Sequence, residues 1–302
     1  MSIPDTLSVN GENFKLVKTR AVAPVSIYKS NNSFLRLGKP ELITGEISLQ
    51  KDLLKAGVPV PEILEHGTIG DNVFYIEESI GEHSFTEIFS RDFTEGGQIT
   101  TRSFTGFLKI IGKFANAQLS TTRINIKKNF YDGIYADTLK RELPSIAGKI
   151  DIALGKVEDR LAAFPILFTH GDLNPSNIMQ NGVIDFENAF NGYAGYDLAT
   201  CILHIFLFPK SKRYELYRSY QPNESQINEY MRVIDGIYEK NKLPAPSKHL
   251  DDFMIGRVIW SAAGMNKEPL IQEWRFAMLK EVLSKYIDNE PVIDIIKNFP
   301  EK

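Results

Sequence analysis

Between residues 13 and 37 apolar and polar positions alternate in the short runs "FKLVKT", "SIYKS" and "SFLRL". A period of two reads as half-buried strands, and the last two runs meet at Asn31-Asn32, residues suited to a tight hairpin turn. The spacing then changes. In "KPELITGEISLQKDLLKAG", Leu42, Ile43, Ile47, Leu53 and Leu54 recur near helical spacing, with Pro40 fit for a first turn and Gly57 for a stop. "VPVPEILEHGTIG" carries alternating prolines that exclude a helix, and "NVFYIEES" returns to a strand pattern. Past Gly81 helical spacing dominates. "TTRSFTGFLKIIGKFANAQL" opens with the capping residues Thr100 or Thr101 and sets Phe104, Phe107, Leu108, Ile111, Phe114 and Ala115 on one side. Further helices are expected at about 134 to 147, 150 to 163, 197 to 208, 223 to 241, 249 to 263 and 270 to 287. The pattern predicts an α+β fold in two lobes: residues 1 to 80, small, β-rich and carrying one helix, and residues 81 to 302, mainly helical.

Composition narrows the partners. The 302 residues are 43% hydrophobic and 24% charged, with a net charge of -3, an ordinary globular balance. Without a dense Lys/Arg block there is no electrostatic support for a nucleic-acid or membrane-surface partner. The N-terminal stretch lacks a basic then apolar leader pattern and no run of about 18 apolar residues occurs, so a cytoplasmic location is the expectation. The single cysteine, Cys201, lies in the apolar run "LATCILHIFLF" and reads as a buried structural thiol.

One polar stretch interrupts the helical pattern: "THGDLNPSNIMQNGVIDF", residues 169 to 186. Asn181-Gly182 between "IM" and "VI" predicts a two-residue hairpin turn at positive φ. That turn would pair Gln180 with Val183, Met179 with Ile184 and Ile178 with Asp185, returning Asp185 beside Asn177, roughly 5 Å away between backbones. Pro175 keeps the segment from Asp172 to Asn177 a loop. Three oxygen-bearing side chains, Asp172, Asn177 and Asp185, are therefore expected to converge. No Lys or Arg lies between Leu161 and Pro209, although Asp172, Asp185, Glu187 and Asp197 do. Carboxylates gathered without a cation favour a ligated metal, and hard oxygen ligands suit Mg²⁺.

An aspartate five residues before an asparagine, with a second aspartate beyond a short hairpin, is the layout of kinase-type phosphoryl transfer. "HGDLNPSN" followed by "IDFE" resembles the aminoglycoside phosphotransferase and choline kinase-like superfamily of small-molecule kinases, over about residues 15 to 265. The resemblance implies a bilobal protein-kinase-like fold with nucleotide in the first lobe and the catalytic loop and substrate site in the second. It implies ATP or GTP as donor with Mg²⁺, Asp172 as the catalytic base, and Asn177 and Asp185 as the metal ligands. It makes His170 a brace of the loop and Asp197 another, although Asp197 alone is also a good N-cap for the helix that follows it.

In the first lobe, Arg36 stands where the family usually has lysine, and Glu46 where its helix partner stands; the change matters, because a planar guanidinium binds phosphate differently from an ammonium. The stretch "KTRAVAPVSIYK" contains no glycine for a phosphate-covering loop. "YIEESIG" fits an interlobe hinge presenting the Glu77 carbonyl and the Ser79 N–H to a purine. Glu187 reads as facing a cationic substrate or a second metal, or as a solvated carboxylate. Asp251, Asp252, Glu268, Glu273, Trp260 and Trp274 are the stock for substrate recognition: carboxylates for an aminoglycoside, a tryptophan cage for choline. Homoserine and sugar kinases share the motif. The contrasting class is a weak or inactive nucleotide-binding pseudokinase, favoured by Arg36 and the glycine-free loop and opposed by the intact Asp172, Asn177 and Asp185.

Overall fold

The computed structural model describes residues 4–20, 24–121, 124, 126–263 and 268–300. Six antiparallel strands form the first sheet: β1 (Thr6–Val9), β2 (Glu12–Thr19), β3 (Ser26–Lys29), β4 (Ser33–Gly38), β5 (Ile63–Ile69) and β6 (Asn72–Glu78), in the order β1-β2-β3-β4-β6-β5. The alternating runs form strands as expected. Asn31-Asn32 turns β3 into β4, closed by Ser30 N–H to the Ser33 carbonyl at 3.0 Å. One sheet face buries Phe14, Tyr28, Leu35 and Phe74. The other, with Val25 and Tyr75, packs Ile43 of α1 (Pro40–Lys55). The turn between β2 and β3 includes residues 21–23 of the glycine-free stretch, which lie outside the described residues.

The helical portion is built from α2 (Phe85–Gly96), α3 (Thr101–Ser120), α4 (Phe130–Gly133), α5 (Ala136–Glu142), α6 (Ala147–Leu161), α7 (Tyr196–Cys201), α8 (Glu224–Lys240), α9 (Leu250–Ala262), α10 (Pro269–Ile287) and α11 (Ile293–Lys297). α3 starts at Thr100, whose hydroxyl accepts from Ser103 N–H. α2 was not expected, yet Ser84 and Glu87 form a full capping box at its start. Two expected helices are broken: 134 to 147 divides into α5 and the start of α6, and 197 to 208 ends its α-helix at Cys201 and continues as a 3-10 turn, His204–Leu207. Set among these helices are β7 (Ile166–Thr169), paired with β10 (Phe190–Tyr193), and the hairpin of β8 (Ile178–Met179) and β9 (Gly182–Val183). The α+β class of the sequence reading is the class observed. Cys201 is buried. No helix among the described residues is long and apolar enough to cross a membrane.

Candidate active site

β7 delivers the chain into the loop that carries Asp172. Gly171 adopts φ of 79°, and a Cβ there would stand 2.1 Å from the Asn188 carbonyl oxygen, so only glycine allows this turn. The turn exposes the amides of His170 and Gly171, which donate to Asp197 at 2.5 and 3.0 Å. Burial pushes the Asp197 carboxyl up, and His170 with these two amides pulls it back. Asp197 is not the N-cap that its position in the sequence offered. The cap of α7 is Gly195, and Asp197 lies in the first turn with both oxygens on the loop. His170 is fully buried. Its Nε2 meets the Ile184 carbonyl at 2.8 Å and its Nδ1 accepts from Asp172 N–H at 3.3 Å, so both ring nitrogens are occupied in tying the loop to the strand that leads to Asp185.

The hairpin differs in register from its sequence prediction. Ile178 pairs with Val183 and Met179 with Gly182, so the turn residues are Gln180 and Asn181. Gly182 is a glycine because of a close approach, not positive φ: a Cβ would lie 2.3 Å from the Pro59 carbonyl. That carbonyl accepts from Val183 N–H at 2.7 Å, and Asn181 N–H donates to Ile80, so the hairpin docks on the segments flanking β5 and β6. Convergence survives the shift, because Ile184 N–H donates to the Asn177 carbonyl at 3.0 Å and brings Asp185 alongside. Asp185 itself has φ of 70°. Asn177 Nδ2 donates to the Asp172 carbonyl at 2.9 Å. Asn174 Nδ2 donates to both the carbonyl and Oδ1 of Asp172.

The local stretch of acids holds no cation of its own, but two arginines reach them from distant segments. Arg20, after β2, binds Asp185, meets Glu187 at 2.8 Å and reaches Glu46 at 3.3 Å. Burial and the neighbouring Asp185 push the Glu187 carboxyl up, with Arg20 opposing. Arg257, from α9, places Nη2 2.5 Å from Asp172 Oδ1 and donates Nη1 to the Gly171 carbonyl at 2.8 Å. Its guanidinium lies 3.9 Å from the Trp260 ring centroid. Glu187 thus faces an arginine of its own chain.

On the sheet side Arg36 finds a different first partner from the one expected. Its Nε is 2.8 Å from Glu77 and its Nη1 3.9 Å from Glu46. β4 pairs Arg36 with Tyr75, which puts Glu77, two residues on, on the same face of the sheet within reach. Tyr75 donates to Glu46 at 3.0 Å. The expected hinge contacts are also displaced: Glu77 lies inside β6, flanked by Phe34 and Ile63, and Ser79 N–H donates to the Asn32 carbonyl at 2.9 Å. Arg20, Arg36, Glu77 and Asp185 share a cleft of about 660 Å³ with apolar walls that include Ile27, Phe34, Ile80 and Met179.

Residues 33–230, more than half of the chain, match the model of the phosphotransferase enzyme family. The chain belongs to that family. This phosphotransferase is similar in structure to a choline/ethanolamine kinase family protein from Mesorhizobium loti, at 16% identity over 93% of this chain and 92% of that one, with a TM-score of 0.59. It is also similar to a thermostable mutant of the aminoglycoside phosphotransferase APH(4)-Ia, crystallised in ternary complex with AMP-PNP and hygromycin B, at 12% identity over 90% and 94% of the two chains, with a TM-score of 0.55. At such identities the shared property is the fold. No curated protein matches by sequence.

Most of the acidic and aromatic residues offered for substrate recognition have partners within the phosphotransferase itself. Asp251 accepts from the Val292 and Ile293 amides, and Asp252 from Tyr286, with Arg160 and His249 beside it. Glu273 is exposed on α10. Glu268 pairs with Arg213. Trp274 donates to the Pro300 carbonyl and packs on Phe299. Of that group Trp260 reaches the loop that carries Asp172, through Arg257. Sequence reading missed Arg20, Arg257 and His204. Arg257 left a signal, a lone arginine in the apolar run "FMIGRVIW", because an arginine is almost never fully buried unless paired.

Proposed function

We propose that this phosphotransferase moves the terminal phosphoryl group of ATP or GTP to a hydroxyl of a small molecule, with residues 1–80 holding the nucleotide and 81–302 the catalytic loop and acceptor. The observation that carries this reading is the convergence of Asp172, Asn177 and Asp185 beside an apolar cleft that also holds two arginines. The cleft walls suit a purine, and its cations suit phosphates. In the antiparallel ladder Glu77 and Ser79 point their backbone groups at β4 and the Asn32 turn, so the purine edge falls to the intervening register, the Glu78 carbonyl and the Ile80 N–H.

Asp172 has one oxygen to spare. Oδ1 is held by Arg257 and Asn174, while Oδ2 has only a 3.5 Å contact from Asn177. Oδ2 takes the proton of the acceptor hydroxyl as the new oxygen–phosphorus bond forms, and the bond from the terminal phosphorus to its bridging oxygen breaks, releasing the nucleoside diphosphate. Arg257 and one hydrogen bond from Asn174 Nδ2, which also holds the Asp172 backbone carbonyl, fix that carboxylate before substrate arrives, and that is where positioning saves activation energy. The donor set fits Mg²⁺: Asn177 uses its Nδ2 on Asp172 and keeps Oδ1, and Asp185 brings a carboxylate. Among the described residues no group of three His, Cys, Asp or Glu side chains is placed to hold a metal ion by itself, so phosphates and water would complete the shell. Bound there, Mg²⁺ would neutralise charge on the phosphates. Arg20 and Arg36 serve the same phosphates from the sheet side, Arg20 leaving Asp185 as the metal-bearing nucleotide enters.

Calorimetric titration with Mg-ATP and Mg-GTP, with and without Asp185→Ala, tests the reading. Metal-dependent binding that the substitution removes supports it, as does Asp172→Asn abolishing turnover while nucleotide affinity changes less than about twofold. Binding that ignores the metal, or an active Asp172→Asn enzyme, overturns it.

A further inference from the structure

On the sheet side an acid of the sheet itself takes the place that the helix acid was expected to fill. Arg36 is 8% exposed and Glu77 4%. Arg36 Nε donates to Glu77 Oε1 at 2.8 Å, whereas Glu46 of α1 stands 3.9 Å from Nη1. The other Glu77 oxygen is also taken. Gln50, four residues beyond Glu46 on α1, donates from Nε2 to Glu77 Oε2 at 2.9 Å and to the Pro61 carbonyl at 2.9 Å. Glu46 is engaged elsewhere, accepting from the Tyr75 hydroxyl at 3.0 Å and pairing with Arg20 at 3.3 Å.

Alternation along β4 puts Phe34 and Arg36 on one face, and the register with β6 sets Tyr75 and Glu77 beside them. That face borders the cleft of about 660 Å³, which Phe34, Arg36, Glu77 and Asp185 line together. Burial works against the Arg36 charge, and Glu77, ahead of Tyr75, Asp185 and Glu46, more than restores it, so the guanidinium ends above its ordinary range. With Nε on Glu77, the edge made by Nη1 and Nη2 remains, and among the described residues it makes no hydrogen bond. The group is planar, so holding one nitrogen fixes the direction of the other two. A lysine would bring a single nitrogen to both tasks, and the buried Glu77 carboxylate would compete with any phosphate for it.

We infer that Glu77, and not Glu46, is the positioning residue for the nucleotide phosphates: it holds Arg36 by Nε so that Nη1 and Nη2 meet the non-transferred phosphates as a fixed pair of donors. This rests on the phosphotransfer reading of the cleft and gives α1 a different part in it. The helix braces the Glu77 carboxylate through Gln50 and does not supply the acid. Arginine at position 36 and the buried acid of β6 then act as one unit, a bidentate phosphate clamp, so the residue that favoured an inactive pseudokinase becomes a requirement of this site.

Calorimetric titration of the full chain takes Mg-ATP and Mg-GTP first, then the nucleoside of whichever binds, adenosine or guanosine. A wild type that binds neither nucleotide removes the phosphotransfer reading, and the inference with it, before any variant is made. Glu77→Gln should weaken Mg-nucleotide binding roughly tenfold to a hundredfold, the loss expected for a hydrogen bond to a charged group, and leave nucleoside affinity within about twofold. Arg36→Lys should show the same pattern although lysine was the residue expected there. The double variant Arg36→Lys, Glu77→Gln should lose no more than Arg36→Lys alone, because residues that act as a unit do not add. Glu46→Gln should cost no more than about fivefold, the scale of a partly exposed ion pair. Gln50→Leu, at a half-buried position and without a change of charge, disturbs the same carboxylate and serves if Glu77→Gln does not fold. It should weaken nucleotide binding about three- to tenfold and spare the nucleoside. Equal losses of nucleotide and nucleoside in Glu77→Gln, or in Gln50→Leu where that variant stands in, make Glu77 a part of the purine wall and overturn the inference. So does an Arg36→Lys protein that binds nucleotide as the wild type does, a double variant whose losses add, or a Glu46→Gln loss as large as that of the Glu77 or Gln50 variant.

Discussion

His204 should make the phosphotransferase acid-sensitive by a calculable amount. It opens the 3-10 turn after α7, is 4% exposed, and packs between Phe208 and Trp260. Its Nδ1 takes Arg257 Nε at 3.2 Å and Nη2 at 2.7 Å. Burial first, then the charges of Arg257 and Arg275, hold the imidazole well below its usual range. A depressed folded pKa means stability that is complete above the unfolded value of about 6.5 and is lost as pH falls below it, because the unfolded chain binds a proton that the folded chain refuses. By pH 5.0, about 1.5 units lower, the loss is about 2 kcal/mol at about 1.36 kcal/mol per unit. In a protein of this size that is a melting shift of roughly 3 °C. His204→Asn is the control: its Oδ1 can accept from Arg257 where Nδ1 did, and it does not titrate. Denaturant unfolding of both proteins between pH 8 and 5 should show the wild type losing about 2 kcal/mol more than the variant, since Arg257, Arg275, Asp172 and every other titrating group are common to both. Parallel stability curves would refute the assignment of a neutral, caged imidazole.

Arg20→Gln should strengthen Mn²⁺ binding to the nucleotide-free protein roughly three- to tenfold, the scale of a partly exposed ion pair of about 1 kcal/mol, while weakening Mg-nucleotide binding. Electron paramagnetic resonance of free Mn²⁺ reads the first and calorimetry the second; unchanged metal affinity would show that Arg20 does not guard Asp185. Gly171→Ala places a side chain at φ of 79° and 2.1 Å from the Asn188 carbonyl, and should cost at least about 1–3 kcal/mol. It should also lower kcat far more than nucleotide affinity, measured by a coupled diphosphate-release assay; full activity would show that the loop tolerates another path.

β2 and α3 were legible because each buries one face, so the period of the pattern reports the element. β2 turns Phe14 and Leu16 inward between exposed neighbours, and α3 buries its stripe of Phe104, Phe107, Ile111 and Phe114. Legibility fails where burial is complete. From Tyr196 to Phe208 every residue is buried, so no polar face marks the point near Cys201 where the α-helix gives way to a 3-10 turn. α2 had a readable start in the Ser84 and Glu87 capping box, a local signal that carries its own hydrogen-bond logic. The hairpin shows the opposite case. Asn181-Gly182 invited a turn by its intrinsic preference, and the contact of Gly182 with Pro59 moved the register, because a backbone approach from 123 residues away outranks a turn propensity worth a few tenths of a kcal/mol.

The candidate site divides along the same line. Asp172, Asn177 and Asp185 were readable because one loop and one hairpin bring them together, all within a segment whose connections are local. The charges that complete the site were readable only as unpaired halves. A run of four acids without a cation between Leu161 and Pro209, and a single arginine in the apolar helix around Arg257, each state an electrostatic debt that folding must settle. Both halves of the Arg257 and Asp172 pair were visible, 85 residues apart. The acids were instead assigned to a metal, because local spacing offered no other neutraliser. The corrected balance changes the chemistry expected. With Arg20 on Asp185 and Arg257 on Asp172, neither carboxylate needs a metal to be tolerated before substrate arrives.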